Sequence, residues 1–243
     1  MDNNFWNNGR SFNPAAGVDQ ADITSLTQFF TQVYTWMALG LAVTGFMAIV
    51  TVSNATLMNL IYGSRFTFFA LVLLELGLVF AFTRALAAGA SLPALIGMFL
   101  TYSAVNGLTL SAILLVYTSQ SVYQTFFVSA GMFAGMSLYG FVTKRDLTSV
   151  GQFAMMGLWG IFLAAIINIF LQSSLLSMVY SIIGVGVFVV LTAWDTQKLK
   201  ALYHRFSGQE DGLKRLALHG ALQLYLDFIN LFIFLLRLLG NRK

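Results

Sequence analysis

Residues Leu216–Leu236 read LALHGALQLYLDFINLFIFLL, and residues Ser174–Asp195 read SLLSMVYSIIGVGVFVVLTAWD. Each stretch is long enough to cross a bilayer, which requires about 20 mostly apolar residues in a helix. Each also carries an aspartate, Asp227 inside the first stretch and Asp195 at the end of the second. An ionisable side chain within a membrane helix costs roughly 2.5–3.5 kcal/mol on insertion scales. The two aspartates therefore mark the first place to look for function.

The composition of the chain is that of a membrane protein. Of its 243 residues, 58% are hydrophobic and only 9% are charged, whereas about 25% of the residues of a soluble domain are charged. The absence of cysteine excludes disulfides and thiolate metal sites, and two histidines are too few for a polyhistidine centre. We therefore predict no cofactor. The net charge of +4 indicates orientation in a membrane rather than a nucleic-acid partner.

Seven stretches are long and apolar enough to predict an all-α integral membrane fold with seven transmembrane helices. Short links between most of them predict antiparallel neighbours. Residues 1–27, rich in Asn with Gly and Pro, predict a disordered tail before a transmembrane domain over 28–243. The predicted spans are Phe29–Val50, Phe66–Thr83, Leu92–Tyr117, Val122–Val142, Val150–Leu171, Leu175–Trp194 and Leu216–Leu238.

The distribution of Lys and Arg predicts a cytoplasmic N-terminus, because positive charge concentrates in cytoplasmic loops. With seven spans the C-terminus then lies outside, although a six-span or re-entrant arrangement would return it to the cytoplasm. Nine of the 13 basic residues fall on the N-terminal side, namely Arg10, Arg84, Lys144, Arg145, Lys198, Lys200, Arg205, Lys214 and Arg215. The other four are Arg65, Arg237, Arg242 and Lys243.

The seventh span carries one polar stripe. His219, Gln223, Asp227 and Asn230 are spaced i, i+4, i+8 and i+11, which places them on one helix face. That face should point to the protein interior. If TQKLKALYHRF continues the sixth helix and Ser207-Gly208 forms a turn, the two aspartates lie within roughly 9 Å along the helix axes, a gap that tilt and turn length could close.

Two carboxyls that meet in the membrane have a distinctive chemistry. Both cannot ionise cheaply, so the pair would share a proton near neutral pH. A divalent cation would relieve the repulsion, and calcium prefers oxygen ligands. Asp195 and Asp227 are thus predicted to form a pH sensor and a calcium site. The alternative is that each aspartate only hydrogen-bonds its own helix neighbours.

Other polar residues in the spans are candidates for an ion path or for simpler roles. Glu75 lies in the middle of the second span, and Arg84 could latch the aspartates or be an ordinary interfacial arginine. Asn168 is either a pathway residue or an inter-helix hydrogen bond, and His219 could titrate near neutrality. Gly131 and Gly135 form a G-x-x-x-G pattern, which indicates close helix packing or merely a chain with 21 glycines.

Several of these motifs together resemble the Bax inhibitor-1 (transmembrane Bax-inhibitor-motif) family. The most specific is Leu224–Phe232, LYLDFINLF, followed by Leu235-Leu236-Arg237. The resemblance extends from about residue 25 to 240, and the short chain without cysteine is similar to bacterial members. Supporting motifs are Trp194–Gln197, Glu75, Asn106–Leu110, Lys144–Leu147 and Asn168–Phe170.

The resemblance implies a central seventh span surrounded by the other six and a pH-sensitive calcium leak across the membrane. It implies that Asp195 and Asp227 are the di-aspartyl sensor. The polar residues of the spans themselves provide the pathway candidates, which are Glu75, Asn168, His219, Gln223 and Asn230. The family latch arginine would fall where Leu86 stands. Either Arg84 substitutes for it from the neighbouring turn, or the latch is missing.

Two other function classes remain open. Some bacterial relatives look like modulators of a membrane-bound ATP-dependent protease, for which residues 1–27 would be the handle. An intramembrane aspartyl protease also uses two aspartates on consecutive helices, but it requires Gly-x-Gly-Asp where this chain has Leu224-Tyr225-Leu226-Asp227. We predict a bacterial inner-membrane protein that is not an enzyme, with the lipid bilayer, calcium and such a protease as partners.

Overall fold

The computed structural model describes residues 20–243, with side-chain surroundings from Thr24 onward. This part of the chain is helical throughout, and its only strand-like pairing is one isolated bridge between Tyr117 and Arg242. The helices are α1 (Gln20–Ser53), α2 (Ala55–Tyr62), α3 (Arg65–Ala87), α4 (Leu92–Val116), α5 (Ser119–Val142), α6 (Thr148–Leu171), α7 (Ser174–Phe206) and α8 (Glu210–Leu239). All except α2 are long and apolar enough to cross a membrane, which confirms the predicted seven-span all-α fold.

The first helix begins before the predicted start of the transmembrane domain. Helix α1 starts at Gln20, ahead of the predicted boundary at residue 28. The remainder of the predicted tail, residues 1–19, lies outside the described residues. Helix α1 therefore includes the last residues of the segment predicted to be a tail.

The turns between spans are short and are stabilised by local chemistry. The Asn54 side chain accepts hydrogen bonds from the Thr56 and Leu57 N–H groups and so begins α2. Gly89 and Gly208 have φ of +74° and +93°, a conformation that costs glycine little. Because α7 continues to Phe206 and α8 begins at Glu210, the predicted helical extension and turn are confirmed.

The C-terminal residues are attached to the turn between α4 and α5. The Thr118 N–H donates to the Asn241 carbonyl at 3.0 Å, and the Lys243 N–H donates to the Val116 carbonyl at 3.0 Å. The Asn241 N–H also donates to Ser121 Oγ at 2.9 Å. Since seven spans alternate in direction, these residues lie at the end of the bundle opposite the start of α1.

Helix α8 has the largest share of buried residues among the spans. It packs against α1, α3, α4, α5 and α7, whereas α6 packs mainly against α7. Leu218, Leu224, Tyr225 and Leu231 are fully buried. The outward faces of other spans carry large apolar side chains such as Phe80 and Phe170, as expected for helices that face lipid.

Glycines allow close helix contacts at positions other than the predicted pattern. A side chain at Gly107 would collide with the Thr44 backbone of α1, and one at Gly140 would collide with the Ala193 backbone of α7. Gly131 and Gly135 instead face open space. Because lipid provides no hydrophobic driving force between helices, transmembrane helices associate through close van der Waals packing, and small residues allow their backbones to approach closely enough for it.

Candidate functional site

Asp195 of α7 and Asp227 of α8 come together at the interface between these two helices. Both side chains are only 5% exposed. The Asp195 carboxyl interacts with the Asp227 carboxyl and with the Gln223 side chain. Oδ1 of Asp195 and Oδ2 of Asp227 are buried and have no hydrogen-bond partner. The site thus presents two carboxyl oxygens that nothing in residues 24–243 satisfies.

A lysine lies next to this pair. The charge of Lys198, three residues after Asp195 on α7, acts on both Asp195 and His219. Its ammonium lies 5.2 Å from the centroid of the Trp194 ring. Lys198 is not among the residues predicted as neighbours of the aspartates, although its i, i+3 spacing from Asp195 places both on one helix face.

Hydrogen bonds fix the backbone of α7 around Asp195. Thr196 Oγ1 donates to the Thr192 carbonyl at 2.8 Å and lies 2.9 Å from Ser137 Oγ of α5. Ser137 in turn hydrogen-bonds the Tyr34 hydroxyl of α1. Because this chain of hydroxyls links α1, α5 and α7, it holds Asp195 in place relative to the rest of the bundle.

Glu75 belongs to a second polar cluster, on another side of α8. Its carboxyl interacts with the side chains of Asn106 and Thr109 on α4, and its buried Oε1 has no hydrogen-bond partner. The Tyr225 hydroxyl donates to Asn106 Oδ1 at 3.1 Å and lies 2.6 Å from Thr44 Oγ1. Glu75 therefore contacts α4 and lies near Tyr225, and its side-chain partners do not include either aspartate.

The remaining predicted residues of the seventh span differ in their surroundings. His219 is half-buried, and its Nδ1 atom has no hydrogen-bond partner. The Asn230 amide donates to the Leu226 carbonyl of its own helix at 2.8 Å. The residues of the predicted polar stripe therefore have three different surroundings. Gln223 and Asp227 belong to the aspartate pair, and His219 lies near the charge of Lys198. Asn230 forms a hydrogen bond within its own helix.

Asn168 and Arg84 lie outside both clusters. Asn168 Oδ1 accepts the Ser173 N–H at 2.9 Å and closes the turn between α6 and α7, so this bond is local to the turn. Arg84 is exposed near the end of α3. Within residues 24–243 the only ion pair joins Lys214 to Glu210, so Arg84 does not latch either aspartate in this structure.

The aspartate pair provides oxygen ligands, the type that a hard cation prefers, but few of them. Two carboxyls and the Gln223 amide would offer oxygen ligands, whereas calcium takes six to eight in protein sites. Within the described part of the chain, no cluster of three or more His, Cys, Asp or Glu side chains could hold a metal.

The chain matches one protein family and is similar to several bacterial proteins. The family model "Inhibitor of apoptosis-promoting Bax1" matches residues 26–243. The inner membrane protein YbhL of Escherichia coli K12 is 45% identical over 222 residues, which cover 90% of this chain and 93% of YbhL. An uncharacterized protein of Borreliella burgdorferi is 40% identical over 225 residues, covering 93% and 97%. One from Rickettsia prowazekii is 41% identical over 221 residues, covering 90% and 91%.

Proposed function

Because the chain belongs to the Bax inhibitor-1 family of integral membrane proteins, we propose that it is a calcium leak channel of the bacterial inner membrane. Asp195 and Asp227 gate it in response to pH. The observation that supports this proposal is the buried pair with two unpartnered carboxyl oxygens. Such an arrangement is costly in a membrane helix and is retained where the group serves an ion or a proton.

The gating mechanism follows from the proximity of the two carboxyls. When one carboxyl is protonated, the two share that proton, and when both are protonated neither carries a charge; in either state α7 stays against α8. When both ionise, they repel each other across the helix interface and attract a divalent cation. Calcium then enters with part of its water shell, because the pair and Gln223 provide too few oxygens for a tight site. Loose binding is what conduction requires, since an ion must also leave.

The proposed orientation places the start of α1 in the cytoplasm. Residues 20–243 contain 12 basic residues. By the helix bounds, eight of them lie at the end of the bundle where α1 starts and four lie at the opposite end. This distribution agrees with the rule that cytoplasmic loops carry more positive charge. Reporter fusions test this: a fluorescent protein after Lys243 should be dark if it folds poorly outside the cytoplasm. A bright fusion would reverse the proposed orientation.

The experiment that tests the function is calcium flux in proteoliposomes of the purified full chain, over a pH series. We expect wild-type flux to fall as the pH is lowered through the titration of the pair. Asp195→Asn/Asp227→Asn should give low flux without that pH dependence. Asp211→Asn removes an exposed carboxyl at the start of α8 and should behave as wild type. If the double variant kept the wild-type profile, the aspartates would not be the sensor.

A further inference from the structure

Helices α5 and α6 leave a groove between them on the surface of α7. The two helices scarcely touch each other, and both pack against α7. At the α5–α6 loop this groove becomes a cavity of about 320 Å³, whose walls include Met136, Val150, Val190 and Ala193. Arg145 and Asp146 of the loop also line it. An apolar groove thus adjoins a charged pair of residues.

A second cavity adjoins the first at the same loop. It has a volume of about 490 Å³ and also includes Arg145 and Asp146, together with Lys144, Trp194 and Lys198. Three cations therefore face one carboxylate. The hydroxyl and backbone N–H of Thr148 hold the pKa of Asp146 below its ordinary value, so that this carboxylate stays ionised. The cavity keeps an excess of two positive charges at neutral pH.

The loop that carries these cations is held in place by α7. Gln197 Oε1 accepts the Leu147 N–H at 2.9 Å, and Gln197 Nε2 donates to the Arg145 carbonyl at 2.8 Å. The side chains of Lys144 and Arg145 are exposed and form no ion pair within residues 24–243. The backbone that carries both side chains is therefore held in place, while their charges are available to a ligand.

We propose that these joined cavities bind one anionic phospholipid. The phosphate lies among Lys144, Arg145 and Lys198, and one acyl chain occupies the groove between α5 and α6. Because α5 ends at Val142 and α6 begins at Thr148, the loop lies at the level where a headgroup would be. Trp194 is a residue type enriched at that level, and basic pockets between transmembrane helices bind anionic headgroups. A soluble anion would leave the adjoining apolar groove without an occupant.

Native mass spectrometry of the full chain in detergent tests this proposal independently of any ion flux. Phosphatidylglycerol and phosphatidylcholine with the same acyl chains are compared as ligands. We expect phosphatidylglycerol to bind at least about tenfold more tightly, since each lysine or arginine near an anionic headgroup contributes about fivefold. Equal binding of the two lipids would overturn the proposal.

Charge variants locate the headgroup. Lys144→Gln/Arg145→Gln/Lys198→Gln should lower the affinity for phosphatidylglycerol on the order of a hundredfold, while Lys214→Gln/Arg215→Gln, which lies outside both cavities, should not. If the triple variant fails to fold, Lys144→Gln and Arg145→Gln singly each serve, because their exposed side chains support no internal bond. Wild-type affinity in folded charge variants would contradict the site.

Two further experiments test whether the ligand is a lipid or a soluble anion. One fills the groove with a larger side chain, and the other adds inorganic phosphate as a competitor. Val190→Trp keeps every charge and should still abolish the preference for phosphatidylglycerol, because it fills the space for the acyl chain. Millimolar inorganic phosphate should not displace the lipid. If phosphate displaced it readily and Val190→Trp bound as wild type, the cavity would be a site for soluble anions, and the lipid proposal would be wrong.

Discussion

Tyr225 and Asp227 lie two residues apart on α8 and belong to different polar clusters. The Tyr225 hydroxyl bonds Asn106 and lies 2.6 Å from Thr44 Oγ1, while Asp227 interacts with Asp195 of α7. One helix therefore links the cluster that contains Glu75 with the aspartate pair. This arrangement separates the residues that stabilise the bundle from those proposed to move an ion.

Removal of the Tyr225 hydroxyl should destabilise the protein. In Tyr225→Phe, Asn106 Oδ1 loses its buried donor, which costs about 1–3 kcal/mol for a group left unsatisfied, whereas Thr44 Oγ1 keeps its bonds to two backbone carbonyls. We expect a lower thermal midpoint in detergent and an unchanged pH dependence of calcium flux. Tyr123→Phe, at a position 66% exposed, should leave the midpoint in place. Equal midpoints for the two variants would show that this hydroxyl cluster does not stabilise the bundle.

Lys198 should set the pH at which the proposed channel responds, and Arg84 should not. A nearby cation favours the ionised form of a carboxyl, so Lys198→Gln should move the midpoint of the flux profile to higher pH, by up to about one unit. Arg84→Gln should leave the midpoint unchanged, because Arg84 is exposed and forms no ion pair with the aspartates. A shift with Arg84→Gln alone would restore the predicted arginine latch.

Gly140 should be intolerant of a side chain, in contrast to Gly135. A methyl group at Gly140 would meet the backbone of Ala193, two residues from Asp195, and must push α5 away from α7 at a cost of about 1–3 kcal/mol. Gly135 lies on the same helix and faces open space. Thermal unfolding of Gly140→Ala and Gly135→Ala should separate them. A stable Gly140→Ala would mean that α5 and α7 adjust without strain.

Asp146 should contribute to stability only above strongly acidic pH. Its Oδ1 accepts the Thr148 N–H at 2.8 Å at the start of α6, and its pKa is lowered. Stabilisation from a lowered pKa is present above the unfolded value, about 3.9, and is lost as the pH falls through the folded value. Because Asp146 stays ionised between pH 5 and 8, its titration does not contribute to the pH dependence of calcium flux in that range. Asp146→Asn should therefore leave the flux profile between pH 5 and 8 unchanged. A displaced profile would make Asp146 part of the sensor.

The seven spans could be predicted because lipid imposes a length and an apolar composition on each helix. The facing aspartates could also be anticipated, since the i, i+4 stripe of α8 and the continuation of α7 are both local patterns. The sequence predicts that the two aspartates differ by roughly 9 Å in their positions along the helix axes. Helix tilt and the turn at Ser207–Gln209 decide whether this offset keeps the two carboxyls apart. Local pattern does not determine either quantity.

The neighbours of each polar group depend on rotations that the sequence does not set. Glu75 and Asp227 both lie mid-span, yet they face different clusters because α3 packs mainly against α4. Gly107 and Gly140, each without a partner at G-x-x-x-G spacing, make the close contacts, whereas Gly131 and Gly135 do not. The calcium leak, the absence of enzyme activity and the role of residues 1–27 with a protease partner stay predictions.

The hydrogen bonds of residues 241–243 limit how α8 can move. Its far end is tied to the α4–α5 turn by backbone bonds at Thr118 and Val116, and its near end follows a turn of three residues after α7. A sliding motion along the helix axis would break the first set of bonds and strain the second. If α8 moves when the aspartates separate, its movement must therefore be a pivot about its anchored end, or a rotation about its own axis, and not a shift along that axis.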